Sequence, residues 1–409
     1  MLGAIADDFT GATDLAMMLR RAGFRVTVLI EDGTLPATEL SSLDAIVVAL
    51  KIRTAPRGDA VTAARGALQR LRSWGATRFY VKYCSTFDST DEGNIGPVLD
   101  AVADDLGAAR CVVVPSLPAN GRTVYNGHLF VGADLLENSS MRHHPLTPMT
   151  RSRVADLLRP QTSYTVGEVR RGTVQEGPAA LRRALDAAQA RYLVLDAIDD
   201  ADLAVIGAAT ADDVLVSGGS GLALGMSGPG TPDTAWSPPG TGRGAVLCGS
   251  VSRTTLAQIA HAARSQPVRQ IDLATAIADP ERTASELADW ISCQDPGAIP
   301  VVCAARARSD VRSELDGVQV APVVERVIAG VAWDVVRGGA VSAIVVAGGE
   351  SSGAVVRALG VDALLIGPEI APGVCWTTAA ALGRQVALAL KSGNFGEEDI
   401  FTSAWEHLS

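Results

Sequence analysis

The sequence predicts an α/β protein made of two α/β domains on mainly parallel sheets, and three observations predict it. Short apolar runs alternate with Ala- and Leu-rich helical stretches through residues 1–225. The same alternation resumes after residue 243. Between the two series, residues 226–243 hold four prolines and four glycines, a composition that sustains neither helix nor strand. Strands alternating with helices imply a parallel sheet covered on both faces. A chain of 409 residues also exceeds what one ordinary core organises. The expected division is a first domain over 1–228, a linker over 229–243 and a second domain over 244–409, with the active site in the cleft between domains.

The elements follow in order. Leu2–Ala6 is a short buried strand, and a helix starts at Thr10 or Gly11 with Leu15, Met17, Met18 and Leu19 as its apolar positions. Val26–Ile30 completes a β-α-β unit. Further strands are expected at Ala45–Leu50, Arg78–Lys82, Cys111–Val114, Tyr192–Leu195 and Val214–Ser217, with helices at Asp59–Trp74, Ile95–Leu106 and Pro178–Ala190. In the second series the expected strands are Ala245–Cys248, Gln270–Leu273, Pro300–Cys303, Ala343–Ala347 and Ala363–Ile366. A helix is expected over Thr254–Ala263 and a final one over about Ala379–Leu390.

Composition narrows the function. The chain is 47% apolar and 20% charged, and no uninterrupted apolar run approaches the roughly 18 residues of a membrane span. Asp7 and Asp8 cut the first apolar run short, so no export leader is expected. A net charge of −10 argues against nucleic acid as the partner. The cysteines Cys84, Cys111, Cys248, Cys293, Cys303 and Cys375 form no C-x-x-C pair, and four lie in or beside apolar runs. Buried free thiols and a cytoplasmic location are expected. A homo-oligomer is left open. The chain has only three lysines, Lys51, Lys82 and Lys391, against 32 arginines, and each lysine falls in a polar segment with chemical promise.

The first such segment is Asp7-Asp8. Ligands of a β-α-β unit sit at the carboxyl ends of its strands. An acidic loop there repels phosphate, but it accepts hydrogen bonds from hydroxyls, takes a proton or holds Mg²⁺. Three more polar segments follow strands of the same domain: Lys51 to Thr54, Lys82 to Thr90 and Pro115 to Thr123. Lys51, Arg53, Lys82 and Arg122, with Ser85, Thr86, Asp88 and Asn120, suit a small carboxylate bearing hydroxyls. In the second domain, Gly348-Gly349-Glu350-Ser351 joins a strand to a helix that Ser351 or Ser352 can cap, a place that favours phosphate. It is neither a Walker A loop nor a GxGxxG fingerprint. Gly249-Ser250-Val251-Ser252 and Lys391 to Gly396 are turns of the same kind, and together the three suit ribose and phosphate. Adjacent His143 and His144 on a Pro-rich loop have no third ligand nearby, so no metal site is expected there. His128 reads equally as a structural or a catalytic histidine.

Taken together, these segments resemble the four-carbon acid sugar kinase family, most closely its 3-oxo-tetronate kinases. The matching stretches are Ile5 to Asp14, Cys84 to Thr90, Gly93 to Val98, Asn120 to Tyr125, Met141 to Thr150, Gly348 to Gly353, Ile366 to Gly373 and Lys391 to Gly396. Val251 stands where the family commonly has Cys, Ser351 where it has Thr, and Arg151 where it has an acid. The resemblance implies an N-terminal sugar-acid-binding domain and a C-terminal nucleotide-binding domain. ATP contacts would carry over to Ser250, Ser252, Gly348, Gly349, Glu350, Ser351 and Gly393. The reaction implied is phosphorylation of the 4-hydroxyl of 3-oxo-tetronate, with ATP as donor and Mg²⁺ accompanying it. Asp8, or failing that Asp7, would orient or deprotonate that hydroxyl, while Lys51, Arg53 or Arg122 holds the carboxylate. D-threonate or D-erythronate 4-kinase activity is the near alternative. A non-catalytic sugar-acid binding protein is the alternative from another class.

Overall fold

A computed structural model describes residues 1–143, 147–230, 236, 238–239 and 243–408. The chain forms two compact units, Met1–Asp233 and Thr234–Ser409. Much of the expected linker 229–243, and His144 of the histidine pair, lie outside the described residues.

The first unit is a doubly wound sheet. Its strands begin with β1 (Leu2–Ala6), β2 (Val26–Ile30), β3 (Ala45–Ala49), β4 (Arg78–Lys82) and β5 (Cys111–Val114). A small antiparallel sheet follows, β6 (Arg122–Tyr125), β7 (His128–Val131) and β8 (Asp134–Leu135). The main sheet then continues with β9 (Val166–Val169), β10 (Tyr192–Leu195) and β11 (Leu215–Gly218). Main-sheet order is β2-β3-β1-β4-β11-β5-β10-β9, and every pairing is parallel. All positions of β1, β2 and β3 are buried, as expected of strands covered on both faces. The chain leaves β1 toward β3 and β2, then crosses to β4 on the other side, which makes the end of β1 a topological switch point.

The second unit repeats the plan. Its strands are β12 (Gly244–Cys248), β13 (Val268–Gln270), β14 (Val301–Cys303), a short hairpin β15 (Glu314–Leu315) and β16 (Val318–Gln319), β17 (Ala343–Ala347), β18 (Ala363–Ala371), β19 (Val374–Ala381) and β20 (Arg384–Lys391). The order β13-β14-β12-β17-β20 is parallel, and β19 and β18 continue it antiparallel. Here the switch point is β12, between β14 and β17. Its core gathers Val246, Val301, Val345, Trp376, Ala389 and Phe401.

The expected helix over Ala379–Leu390 is corrected by the structure. That segment is the end of β19, a two-residue turn and most of β20, with Ala381 opposite Arg384. Leu382 and Gly383 both have positive φ, 50° and 76°, as a type I′ hairpin turn requires. Alanine and leucine imitated a helix because β20 is buried at six consecutive positions, Val386 to Lys391, and shows no alternation. The expected strand Gln270–Leu273 also shifts, to Val268–Gln270. Asp272 instead caps the helix Leu273–Ala278 by accepting from the Thr275 N–H at 2.9 Å. Cys111, Cys248, Cys303 and Cys375 are buried free thiols, while Cys84 is half-buried and Cys293 exposed. Among the described residues, no helix is long and apolar enough to cross a membrane.

Candidate functional site

In the first unit, register alone puts the chemistry on one edge. Ala49, Ala6, Lys82, Gly218 and Val114 are lateral partners across five adjacent strands. The loops that carry Lys51, Asp7, Tyr83, Gly219 and Pro115 therefore leave the sheet at one level. Asp8 is the N-cap of the helix Phe9–Arg21: its Oδ1 accepts from the Gly11 N–H at 2.8 Å and its Oδ2 from the Thr10 hydroxyl at 2.9 Å. The helix thus starts one or two residues earlier than expected.

Arg53 binds the pair of acids. Its Nε and Nη2 donate to the two oxygens of Asp7 at 2.7 and 2.8 Å, and Nη2 lies 2.8 Å from Asp8 Oδ1. Main-chain bonds from Ile52 and Arg53 to the Asp7 carbonyl fix that loop. The Asn94 amide holds it from behind through the carbonyls of Ile52 and Ala55. Burial pushes the Asp7 carboxyl above its usual value, outweighing Arg53. Burial acts on Asp8 as well, but Arg53 and Lys82, with the bonds from Thr10 and Gly11, overcome it and hold Asp8 below the usual range. Asp8 is therefore an ionised acceptor whose Oδ2, among the described residues, bonds Thr10 alone, and a carboxylate oxygen has room for a second donor.

Lys82, 3% exposed, acts on both acids and donates to the Tyr83 carbonyl at 2.9 Å. Beyond it, Thr86 donates to Asp88 at 2.6 Å, and the Cys84 sulfur lies 2.9 Å from the Thr86 hydroxyl. Ser85, Thr86 and Asp88 are buried, and burial raises the Cys84 thiol to about 12, so Cys84 is not a reactive thiolate. Asn120 lies on the turn after β5 and Arg122 is the first residue of β6, its guanidinium donating to the Asn120 carbonyl; β11 separates β5 from β4. Lys51 is half-buried after β3. His128 donates from Nδ1 to the Asn126 carbonyl at 3.0 Å, on the small sheet. Arg151 is tied to Asp91 and to the Asp156 carbonyl.

The second unit brings its three turns together by the same device. Cys248, Ala347 and Lys391 are lateral partners on β12, β17 and β20, so each turn begins at one level. Ser252 caps the helix Arg253–Ala262, accepting from the Thr255 N–H at 3.1 Å, and donates to the Gly393 carbonyl at 2.6 Å. Thr255 bridges the Gly393 carbonyl at 2.8 Å and the Ser250 hydroxyl at 3.1 Å. Neither Ser351 nor Ser352 caps the helix Gly349–Ala358, contrary to expectation. The cap is Gly348, at φ 122°, which contributes no side chain and leaves the first-turn N–H groups to other acceptors. A Cβ at Gly348 would stand 3.1 Å from the Ser250 N–H nitrogen, and one at Gly393 would overlap the Ser250 hydroxyl. Among the described residues, no group of three or more acidic, histidine or cysteine side chains is placed to hold a metal.

Three contributors lay outside the sequence reading. Thr255 and Gln258 hold the third turn from helix Arg253–Ala262, about 138 residues away in sequence. Ser220, just past β11, is 1% exposed and its hydroxyl has no hydrogen-bond partner among the described residues; its neighbours Gly219 and Gly221 lie against the Pro115–Leu117 segment. Only its Gly-Gly-Ser-Gly context signalled it.

Residues 2–226 match the family described as a sugar-binding N-terminal domain, and residues 245–401 the nucleotide-binding C-terminal domain. The chain is 44% identical over 421 residues to a 3-oxo-tetronate kinase of Burkholderia multivorans, covering 99% of this chain and 96% of that one. It is 41% identical over 422 residues to the 3-oxo-tetronate kinase of Salmonella typhimurium, covering 98% of each. A crystal structure from Salmonella typhimurium LT2, given the working name tRNA synthase, superposes with a TM-score of 0.86 at 40% identity over 98% of both chains. The chain belongs to the four-carbon acid sugar kinase family, with relatives named 3-oxo-tetronate kinase along its whole length.

Proposed function

We propose that this protein is an ATP-dependent kinase that phosphorylates the 4-hydroxyl of 3-oxo-tetronate, releasing 3-oxo-tetronate 4-phosphate and ADP. The observation that carries the reading is the contrast between the two strand-end edges. One is acidic and hydroxyl-accepting around Asp8, and the other is glycine- and serine-lined with uncapped N–H groups around Gly348.

Phosphoryl transfer is mostly positioning and charge neutralisation. In this reading Asp8 accepts the hydrogen bond of the substrate's 4-hydroxyl at Oδ2 and takes its proton as the new P–O bond forms. Arg53 holds Asp7 and orients Asp8, so the carboxylate of the substrate falls to Lys51 and Arg122. Ser85, Thr86, Asp88 and Asn120 read its remaining oxygens, and Lys82 supplies positive charge beside the attacking oxygen. Ser250, Ser252, Gly348, Gly349, Glu350, Ser351 and Gly393 bind ATP. The donor set suits Mg²⁺ bound mainly through phosphate oxygens and water, with Glu350 the carboxylate nearest that turn in sequence. When bound, the ion would neutralise phosphate charge.

Incubating the protein with MgATP and a panel of four-carbon acids, and following ADP release, tests the reading. ADP release with 3-oxo-tetronate is expected. Release only with D-threonate or D-erythronate would keep the kinase and overturn its substrate. No release with any acid, despite nucleotide binding, would leave a sugar-acid binding protein.

A further inference from the structure

Each unit ends one strand of its edge in a buried lysine. Lys82 and Lys391 are 3% and 0% exposed, and each donates to the carbonyl of the next residue. Their surroundings differ. Lys82 has Asp7 and Asp8 to act on, whereas Lys391 makes no ion pair with any described residue. Its ammonium donates to the carbonyls of Ser392 at 3.0 Å and Phe395 at 2.9 Å and lies 5.8 Å from the centre of the Phe401 ring. Among the described residues, the one titratable side chain that acts on its charge is Cys248 on β12, a thiol that burial holds well above its usual value. Glu397, Glu398 and Asp399 follow the loop but are exposed and form no ion pair with it. From the packed helix Arg253–Ala262 the groups that face the loop, Ser252, Thr255 and Gln258, are neutral.

The loop is pinned by its carbonyls. Ser392 and Phe395 bond Lys391; Gly393 bonds Ser252 and Thr255; Phe395, Gly396 and Glu397 bond Gln258 at 3.1, 2.8 and 3.0 Å. In a trans peptide the N–H of the next residue points opposite to the carbonyl. The N–H groups of Gly393, Asn394, Gly396 and Glu397 therefore face away from these donors, and no main-chain bond among the described residues takes up those of Gly393, Asn394 or Gly396. Such a row of outward N–H groups is an anion cradle.

We propose that Lys391 is a positioning residue for the nucleotide: its buried ammonium shapes the 392–397 loop from inside, and the polyphosphate is the anion that balances its charge, so nucleotide binding and protonation of this side chain are linked. The proposal rests on the second unit being the nucleotide site. Burial lowers the free ammonium from 10.5 to about 8. A bound polyanion favours the charged form and raises that value. Nucleotide affinity is then full below pH 8 and is lost as pH rises above it, about tenfold for each unit by which the nucleotide raises the pKa.

Calorimetry of ADP with Mg²⁺ tests this without turnover. At pH 8, in buffers of different ionisation heat, the wild-type protein should take up as much as about half a proton on binding. Lys391→Met keeps the buried stem and removes the charge; it should bind more weakly and take up no proton. Binding without proton uptake in the wild type, which needs no variant to fold, overturns the proposal, as does uptake that persists in Lys391→Met. Failure of the wild type to bind ADP at all would instead remove the nucleotide site on which the proposal rests.

Discussion

The first strand of each unit ends in the same construction with opposite chemistry. β1 and β12 are both switch-point strands, and both run into a helix whose N-cap side chain accepts from the third residue on. In the first unit the cap is Asp8, a charge that satisfies the helix terminus and leaves no place for phosphate. In the second it is Ser252, which satisfies one N–H and adds no charge. A helix N-terminus attracts anions, so a carboxylate or a hydroxyl at the cap decides whether the same scaffold welcomes a hydroxyl or a phosphate. The lesson is that topology chooses where a ligand sits, and the sign of the capping residue chooses which ligand.

Removing the charge from the first cap should have the largest effect. Asp8→Asn should lower kcat by about 100-fold or more, with KM for ATP little changed; an unaltered kcat at saturating substrate would end the assignment. The same variant separates catalysis from stability. Native Asp8 titrates below its usual 3.8, so the stability its bonds contribute is fully present above that value and is lost as pH falls through the lower native one. Thermal melts below pH 4 should therefore fall less steeply in the Asn variant than in the wild type.

Putting charge on the second cap should have the next largest effect. Ser252→Asp keeps an acceptor for the Thr255 N–H and hence the helix cap, but it loses the donor to the Gly393 carbonyl, so the melting midpoint should fall modestly while the protein stays folded. Binding of ADP with Mg²⁺ should weaken by about tenfold or more through repulsion at the helix terminus. Undiminished binding would break the comparison.

The smallest effect concerns a feature the all-parallel first sheet lacks. Leu382 in the β19–β20 turn holds φ at 50°, a conformation that suits asparagine better than leucine. Leu382→Asn should stabilise the second unit by about 0.5–1 kcal/mol in denaturant melts.

Much of this was legible in the sequence for a physical reason. β1, β2, β4, β5, β10 and β17 match their expected bounds because each is a short run with an apolar centre, closed by polar, glycine or proline residues. The acidic loop and the first two Gly/Ser turns could be recognised because strand ends in a parallel sheet share an edge; the third, expected after a helix, follows β20 instead. The misread helix at 379–390 has the same origin as those successes: a strand buried on both faces and rich in alanine carries no period of two. β9 went unseen because Val166-Gly167-Glu168-Val169 is a half-polar edge strand. Hydrogen bonds such as Gln258 to Gly396 join residues far apart in sequence and leave no spacing to read. Arg53 was expected to grip the substrate's carboxylate; its bidentate hold on Asp7 depends on the register of β1 and β3, which local sequence does not show.

The scarcity of lysine has a practical consequence. Of three lysine amines, Lys82 and Lys391 are sealed and Lys51 alone is half-open. A mild acylating reagent should therefore mark Lys51 in preference to the other two, and a single peptide in the mass spectrum would report it. If Lys51 holds the sugar acid, adding that acid should protect it from the label, and the mark becomes a direct gauge of occupancy in the first unit without measuring turnover.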